Sequence, residues 1–313
     1  MRTAVACLAL LAALGRAVAE STPGDASGLA CVEFRGEVAR SLAGRPDAIH
    51  VNTLLFDAAK KGCASLWPKL NAAGASPLAR DRQGDVALAH AARMGRVGMV
   101  AALLAVDAPT REVELNRPDV VGSTPLILAA LADRGATAKQ LIEAGADVNT
   151  VNAQGETALS AAAYNANFEL ASKLLARGAK AETVDRTGKS PILYAAARGA
   201  DAIVAALLDA GIDANARYGA DLTALMWAAG HADNAPADGT LRTVRLLLAR
   251  GAKPDLVDDR GRDALMIAAQ LGHAEIVRVL LAAGAEKTRK DKTGKTARDL
   301  TGDPEIQALL AAP

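Results

Sequence analysis

The sequence predicts an all-α solenoid of about eight stacked helical pairs with capped ends. Three observations carry this. A T-x-L element recurs with its first position at Thr53, Val86, Thr124, Thr157, Ser190, Thr223, Asp263 and Thr296, and five of the seven intervals are 33 residues. Such a fixed period marks a repeat architecture. Within the unit anchored on Thr157, apolar residues recur at helical spacing through Ala163 and again from Phe168 to Leu175, which reads as two short antiparallel helices. Finally, each full unit places a Gly two residues before the anchor, an Ala-Ala pair five and six after it, and a Leu-Leu-like pair 17 and 18 after it.

Taken in chain order, the first residues read as a leader. Arg2 precedes the continuous apolar run Thr3 to Leu14, and Ala17-Val18-Ala19 follows the small-x-small cleavage pattern, so residues 1–19 are expected to be a secretory signal peptide cleaved after Ala19. The run is too short to span a bilayer, so no stable membrane anchor is expected. Cys7 lies inside the run and not after it, which argues against a lipoprotein. The destination expected is the bacterial periplasm, or secretion. Cleavage leaves Cys31 and Cys63, and in an oxidising compartment such a pair is a disulfide candidate. Closing that loop is worth roughly 3–4 kcal/mol on the chain-entropy argument; two separate buried thiols are the alternative.

Residues 20–47 are expected to form an N-terminal helical cap, because Leu29 to Leu42 places Cys31, Phe34, Val38 and Leu42 roughly on one side. The repeat domain then occupies 48–313. Its anchor Thr residues are suited to cap the first helix of each pair, and Pro125 and Pro191 sit just inside two of these helices, where the missing N–H costs nothing. Gly145, Gly178, Gly211, Gly251 and Gly284 follow the second helix, a place that favours a left-handed residue. Polar stretches such as "ADVNTVNAQG" are expected to form hairpin-like fingers. Two insertions break the period, one of five residues in the finger between Val106 and Gly122 and one of seven around residues 230–240. The last unit, from Asp291, ends in the shorter helix "DPEIQALLAA".

Composition restricts function. The 313 residues carry a formal net charge of +1, are 51% hydrophobic and only 3% aromatic. Near-neutral charge argues against a general nucleic-acid or membrane-surface protein. "TGKT" (293–296) and "TGKS" (187–190) imitate the end of a phosphate loop, but Arg289 and Thr183 stand where its first Gly is required. His50, His90, His231 and His273 lie in four different units without metal-ligand spacing, so no metal and no cofactor are expected. No G-x-S-x-G elbow occurs, and carboxylates such as Asp258 and Asp259 are expected to face water in the fingers. No catalytic constellation emerges, and the chain is not expected to be an enzyme. The basic run from Lys287 to Arg298 reads as a solvated terminal finger; with Arg186, Lys189, Arg217, Arg260 and Arg262 it offers a basic ridge for an acidic protein partner.

The units resemble the ankyrin repeat, whose consensus is close to D-x-x-G-x-T-P-L-H-x-A-A-x-x-G-H-x-x-V-x-x-L-L-x-x-G-A-D-V-N. The best matches are "GSTPLILAA" (122–130), "GETALSAAA" (155–163), "GKSPILYAAARG" (188–199) and "GHAEIVRVLLAAGA" (272–285). The histidine of T-P-L-H is replaced by Ala89, Ile127, Ser160, Leu193, Met226 and Met266, which is expected to remove a hydrogen bond from each finger. The resemblance implies a non-catalytic module that grips a protein through its concave face and finger tips, and the leader would place that module in the bacterial cell envelope. The contact positions it implies are Arg93, Met94, Leu131, Tyr164, Asn165, Arg198, His231, Gln270 and Leu271 at helix ends. In the fingers they are Arg82, Gln83, Asp85, Val121, Gln154, Glu156, Arg186, Lys189, Arg260 and Arg262. Tyr164 is the preferred hot-spot residue, whereas Tyr194 and Trp227 are expected to pack in the core. A monomer is expected. Other roles of the same surface are an inhibitor or immunity-type protein for a periplasmic enzyme, an effector binding a host protein, or a structural envelope accessory. A pocket built by the two insertions would instead serve an enzyme.

Overall fold

An Asp or Asn five residues before the anchor starts each regular finger and dictates its shape. In the computed structural model, which describes residues 29–231 and 237–311, Asp81, Asp119, Asn152, Asp185, Asp258 and Asp291 all do the same thing. One side-chain oxygen accepts from the backbone N–H two and four residues later, as Asn152 does from Gln154 (3.0 Å) and Glu156 (2.9 Å). Asp258 repeats this with Arg260 and Arg262, both at 2.9 Å. Such Asx turns satisfy backbone donors that no regular element would reach. Asp258 is therefore buried, contrary to the expectation that it faces water.

Successive fingers are joined through their backbones. Val120 N–H donates to Gln83 O (2.9 Å), Ala153 to Val121 (2.8 Å), Gly219 to Gly188 (2.9 Å) and Lys292 to Arg260 (3.0 Å). At Gly188 the approach is so close that a Cβ would lie 2.8 Å from the Gly219 Cα, and φ there is +78°, so only glycine fits.

Eighteen α-helices follow this scheme among the described residues. The first half contains α1 (Leu29–Ala43), α2 (Ala48–Lys61), α3 (Trp67–Ala72), α4 (Ala87–Arg93), α5 (Val97–Leu104), α6 (Ala108–Leu115), α7 (Pro125–Leu131) and α8 (Gly135–Glu143). After α9 (Ala158–Tyr164) come α10 (Phe168–Ala176), α11 (Pro191–Ala197), α12 (Asp201–Asp209), α13 (Ala224–Gly230), α14 (Ala237–Ala249), α15 (Ala264–Leu271), α16 (Ala274–Ala282), α17 (Ala297–Leu300) and α18 (Pro304–Ala311). Two compact units divide the chain between Ala161 and Ala162. In the first, α4 packs between α2 and α7, and α5 against α8; in the second, α13 packs between α11 and α15, and α14 between α12 and α16.

The repeat positions read from the sequence form the core. The Ala pairs Ala58-Ala59, Ala91-Ala92, Ala129-Ala130, Ala195-Ala196, Ala228-Ala229 and Ala268-Ala269 are all fully buried. Without side chains beyond Cβ, they let consecutive inner helices approach closely. The first Leu of each pair (Leu70, Leu103, Leu141, Leu174, Leu207, Leu247 and Leu280) is likewise buried, each worth about 1.5–3 kcal/mol relative to exposure. Pro125 and Pro191 begin α7 and α11 as expected. Gly145, Gly178, Gly211, Gly251 and Gly284 all take left-handed φ.

Capping is less uniform than the anchors imply. Thr157 accepts from Ser160 N–H (3.0 Å), Thr223 from Met226 (3.3 Å), and Asp263 from Met266 (2.8 Å), while Thr296 and Asp299 form a reciprocal box. Val86, Thr124 and Ser190 make no such bond. Thr53 departs furthest: α2 starts at Ala48 with Asp47 as its cap, so Thr53 lies inside the helix. Its Oγ1 donates to Ile49 O instead (2.9 Å).

The insertion at 106–122 does not lengthen a finger. It folds into α6, because Asp107 accepts from Thr110 N–H (3.1 Å) and Pro109 is tolerated in the first turn. Glu114 on α6 is 0% exposed, neither of its carboxylate oxygens has a hydrogen-bond partner, and burial pushes its pKa up to about 8. The second insertion precedes α14, a helix of 13 residues; part of it, 232–236, lies outside the described residues, as does the leader 1–19.

The N-terminal cap has the expected buried side. Cys31, Phe34 and Val38 of α1 are buried and α1 packs on α2, while Leu42 is half-buried. Cys31 and Cys63 sit at disulfide distance, with Cα atoms 5.5 Å apart.

Candidate protein-interaction surface

In the first unit, the finger beginning at Asp81 is latched to the helix beside it. Asp81 accepts from Gln83 (2.8 Å) and Asp85 (3.0 Å) through one oxygen, and its other oxygen lies 2.8 Å from His90 Nε2. Asp85, 1% exposed, pairs with Arg93 at 2.8 Å. Burial pushes His90 below and Asp85 above their usual pKa values, partly offset by the attraction between them. Asp81, Asp85 and His90 each bring a possible ligand atom within 4.8 Å of the others, but Asp81 and Asp85 already hold backbone N–H groups, His90 and Arg93. The arrangement works as a structural clasp.

The second unit uses the same two positions differently. Tyr194 occupies the place of His90 and donates its hydroxyl proton to Asp185, the counterpart of Asp81. In the repeat anchored on Thr157, Ser160 stands at the lost histidine and donates to Thr157 O (2.9 Å) while accepting from Thr157 N–H (2.9 Å). The missing histidine bonds are thus partly replaced, which corrects the expectation that every finger loses one.

From Tyr194 a row of rings and cations extends across the helix ends. Tyr164 meets Tyr194 edge-on, with centroids 5.7 Å apart and planes at 85°. Arg198 stands over Tyr164 at 6.0 Å. Lys189 Nζ lies 5.8 Å from the Tyr194 ring and 5.5 Å from Trp227. His231 stacks on Trp227 at 4.3 Å and 5°, and its Nδ1 is 3.1 Å from Trp227 O. Burial holds the His231 pKa below its usual value, opposed by the bond to Trp227 O and reinforced by Lys189. Tyr194 and Trp227 hold the same position in consecutive repeats, four residues after the anchor, while Tyr164 and His231 reach them from the ends of the first helices.

A sequence model described as "Ankyrin repeats (3 copies)" matches residues 55–152, 132–218, 159–236 and 215–291. The chain belongs to the ankyrin repeat family. Ankyrin repeats are protein–protein interaction modules, in general non-catalytic. The chain is also similar to "Ankyrin repeat domain-containing protein 63" of Mus musculus, 39% identical over 85 residues. That match covers 27% of this chain and spans only 20% of the relative's length. Among the described residues, no helix is long and apolar enough to cross a membrane.

The ankyrin contact positions fall into two groups. Arg82, Gln83 and Gln154 are exposed at finger tips, and Met94 and Leu131 are half-buried at helix ends. Tyr164, Lys189, Arg198 and His231 converge in the ring row; Asn165 is half-buried and adjacent in sequence to Tyr164, and Arg186 is exposed in the Lys189 finger. Several others are bonded within the protein. Glu156 accepts from Asn152 Nδ2 (2.8 Å), and Arg93 pairs with Asp85. Arg260 makes two bonds to Asp258, while Arg262 bonds Asp291 (3.1 Å) and Gln270 (2.7 Å). Leu271 is exposed. The expected basic ridge is therefore largely neutralised around Arg260 and Arg262. Sequence reasoning carried the finger Asp/Asn only as the first letter of the repeat consensus and gave it no role, and it expected Trp227 at a semi-buried position to pack in the core, whereas the structure sets it half-buried beside Lys189.

Proposed function

We propose that this ankyrin repeat chain is an exported, monomeric, non-catalytic module that binds a protein partner in the bacterial envelope. The observation that carries the reading is the Tyr164–Tyr194–Lys189–Trp227–His231 row on a repeat framework. Tyr164 and Trp227, half-exposed beside cations, supply contact area at low conformational cost, the composition of binding hot spots. Fingers held by Asx turns and backbone bonds are ordered before binding, so little entropy is lost on association. Export is supported by the leader-like first 19 residues, and an oxidising destination by Cys31 and Cys63 at disulfide distance.

The test is capture from a periplasmic extract by the mature protein, with a variant carrying Tyr164→Ala, Arg198→Ala and Gln270→Ala. A partner held at moderate salt by the first and lost by the second, with unchanged helical circular dichroism, is the expected result. Capture of nothing removes the binding reading. Full-length protein recovered in the cytoplasm with Met1 attached removes export.

A further inference from the structure

We propose that Lys189, Arg198 and the rings of Tyr164, Tyr194 and Trp227 form a docking site for an extended acidic segment of a protein partner. This deepens the interaction-module reading and rests on it. The argument begins with charge. The finger's own carboxylate, Asp185, is buried and accepts from Thr187 N–H (2.7 Å), Thr187 Oγ1 (2.7 Å), Lys189 N–H (3.1 Å) and the Tyr194 hydroxyl. It has no capacity left for the Lys189 ammonium, which makes no ion pair among the described residues and rests only on two ring faces. A half-buried ammonium in that position gains from an incoming carboxylate, because the surrounding rings displace water and strengthen the pair. Arg198 supplies a second cation across the two tyrosines.

Geometry then selects the shape of the ligand. Consecutive members of the row stand 4.3 to 6.0 Å apart. In an extended chain, alternate side chains project from one face about 7 Å apart, longer than any single step of the row, so successive acidic residues would meet cations that are separated by rings, as Lys189 and Arg198 are by the two tyrosines. Glutamate carboxylates would reach the cations from the open side of the row, leaving the ring faces to the cations and the His231 ring that already lie on them.

Rings interleaved with cations also characterise single-stranded nucleic-acid sites, where bases stack on open aromatic faces. Here those faces are taken. Tyr194 is 7% exposed, with Lys189 on its ring and Tyr164 in edge contact, and Trp227 is covered by the parallel His231 ring. A base finds no platform, whereas a carboxylate needs none.

The experiment uses the whole mature protein on two immobilised peptide libraries, E-x-E-x-E and Q-x-Q-x-Q with x randomised, and on a dT15 oligonucleotide. Retention on the Glu library about tenfold above the Gln library is expected for a desolvated charge pair. Lys189→Gln and Arg198→Gln should each abolish most of that difference, and Lys189→Arg should keep it. Arg245→Gln, an equal charge change at an exposed position of α14, should not alter it. Circular dichroism establishes that the variants are folded. Equal retention on the two libraries, an unchanged Lys189→Gln variant, an equal loss in Arg245→Gln, or stronger retention on dT15 each overturns the proposal. Failure of the two readings is distinguishable. Partner capture from extract by wild type and Lys189→Gln alike would sink the acidic segment and leave the module standing. Glu-selective retention without any captured partner would do the reverse.

Discussion

The finger residue just before the anchor is Asp85, Ser123 or Glu156 in the first unit, and Lys189, Leu222, Arg262 or Lys295 at the same position in the second. The fingers bear similar polar chains on similar backbones, yet the outcomes differ. In the first unit Asp85 meets Arg93, and Glu156 meets Asn152, so the charges close on the protein itself. In the second, Arg262 is closed by Asp291 and Gln270, but Lys189 is left on ring faces. The lesson is that repeat position decides where a side chain projects, and only its neighbours decide whether it is available. Lys189 lies beside a carboxylate whose second oxygen is taken by Tyr194, whereas the second oxygen of Asp291, its counterpart, takes Arg262.

The chain's two tryptophans fall one in each unit, Trp67 and Trp227, so Trp67→Phe and Trp227→Phe backgrounds report on the units separately. The largest expected effect is confined to the first unit. Replacing both Cys31 and Cys63 by Ala opens a loop with a sequence separation of 32 and should lower stability by about 3–4 kcal/mol. Denaturant titration followed by Trp67 should show the shift and Trp227 should not. Equal movement of both signals would show that the units unfold together, and no movement would show that the cysteines are not bridged.

A smaller effect of opposite sign is expected from Glu114→Gln. Glu114 has its folded pKa raised from 4.5 to about 8, so its contribution is complete below pH 4.5 and is lost as pH rises through 8. The amide cannot ionise, so at pH 9 the variant should be more stable by about 1–3 kcal/mol, the cost of an unpartnered buried polar group or more. At pH 4 the two proteins should agree to within a few tenths of a kcal/mol, the scale of experimental noise in such comparisons. A constant difference at both pH values would deny the ionisation.

The smallest effect belongs to the second unit. His231 has a folded pKa lowered chiefly by burial. A depressed histidine binds fewer protons folded than unfolded, so its contribution is present above the unfolded value near 6.5 and falls as pH drops below it. Trp227 should report an earlier unfolding midpoint at pH 5.5 than at 7.5, and His231→Phe should remove that dependence. If the variant kept the same slope, another group would be responsible.

Much of the fold was legible because stacking identical units imposes one spatial period on core residues. The Ala pairs and the leading Leu of each pair are all where the 33-residue register puts them. What escaped had no periodic signal. The α6 insertion occurs once, and "DAPTREVEL" reads as a helix only when Asp107 is seen capping it. Thr53 matched the anchor by spacing, but Asp47 offered an earlier cap and the helix took it. Tyr164, Lys189, Arg198 and His231, named as candidate contacts by register, are brought together by the structure in one row. Which of the basic residues stay available was not legible, because Arg262 and Asp291 are 29 residues apart and meet only through the stack.

The sequence by itself therefore determined the repeat, the helices and the residues that project from them, since these follow from local periodicity and short-range capping. Tertiary structure alone decided which projecting charges are neutralised. Coulomb attraction and burial act through distances that adjacent repeats set, and a linear period of 33 contains no information about which of two neighbouring side chains is already paired.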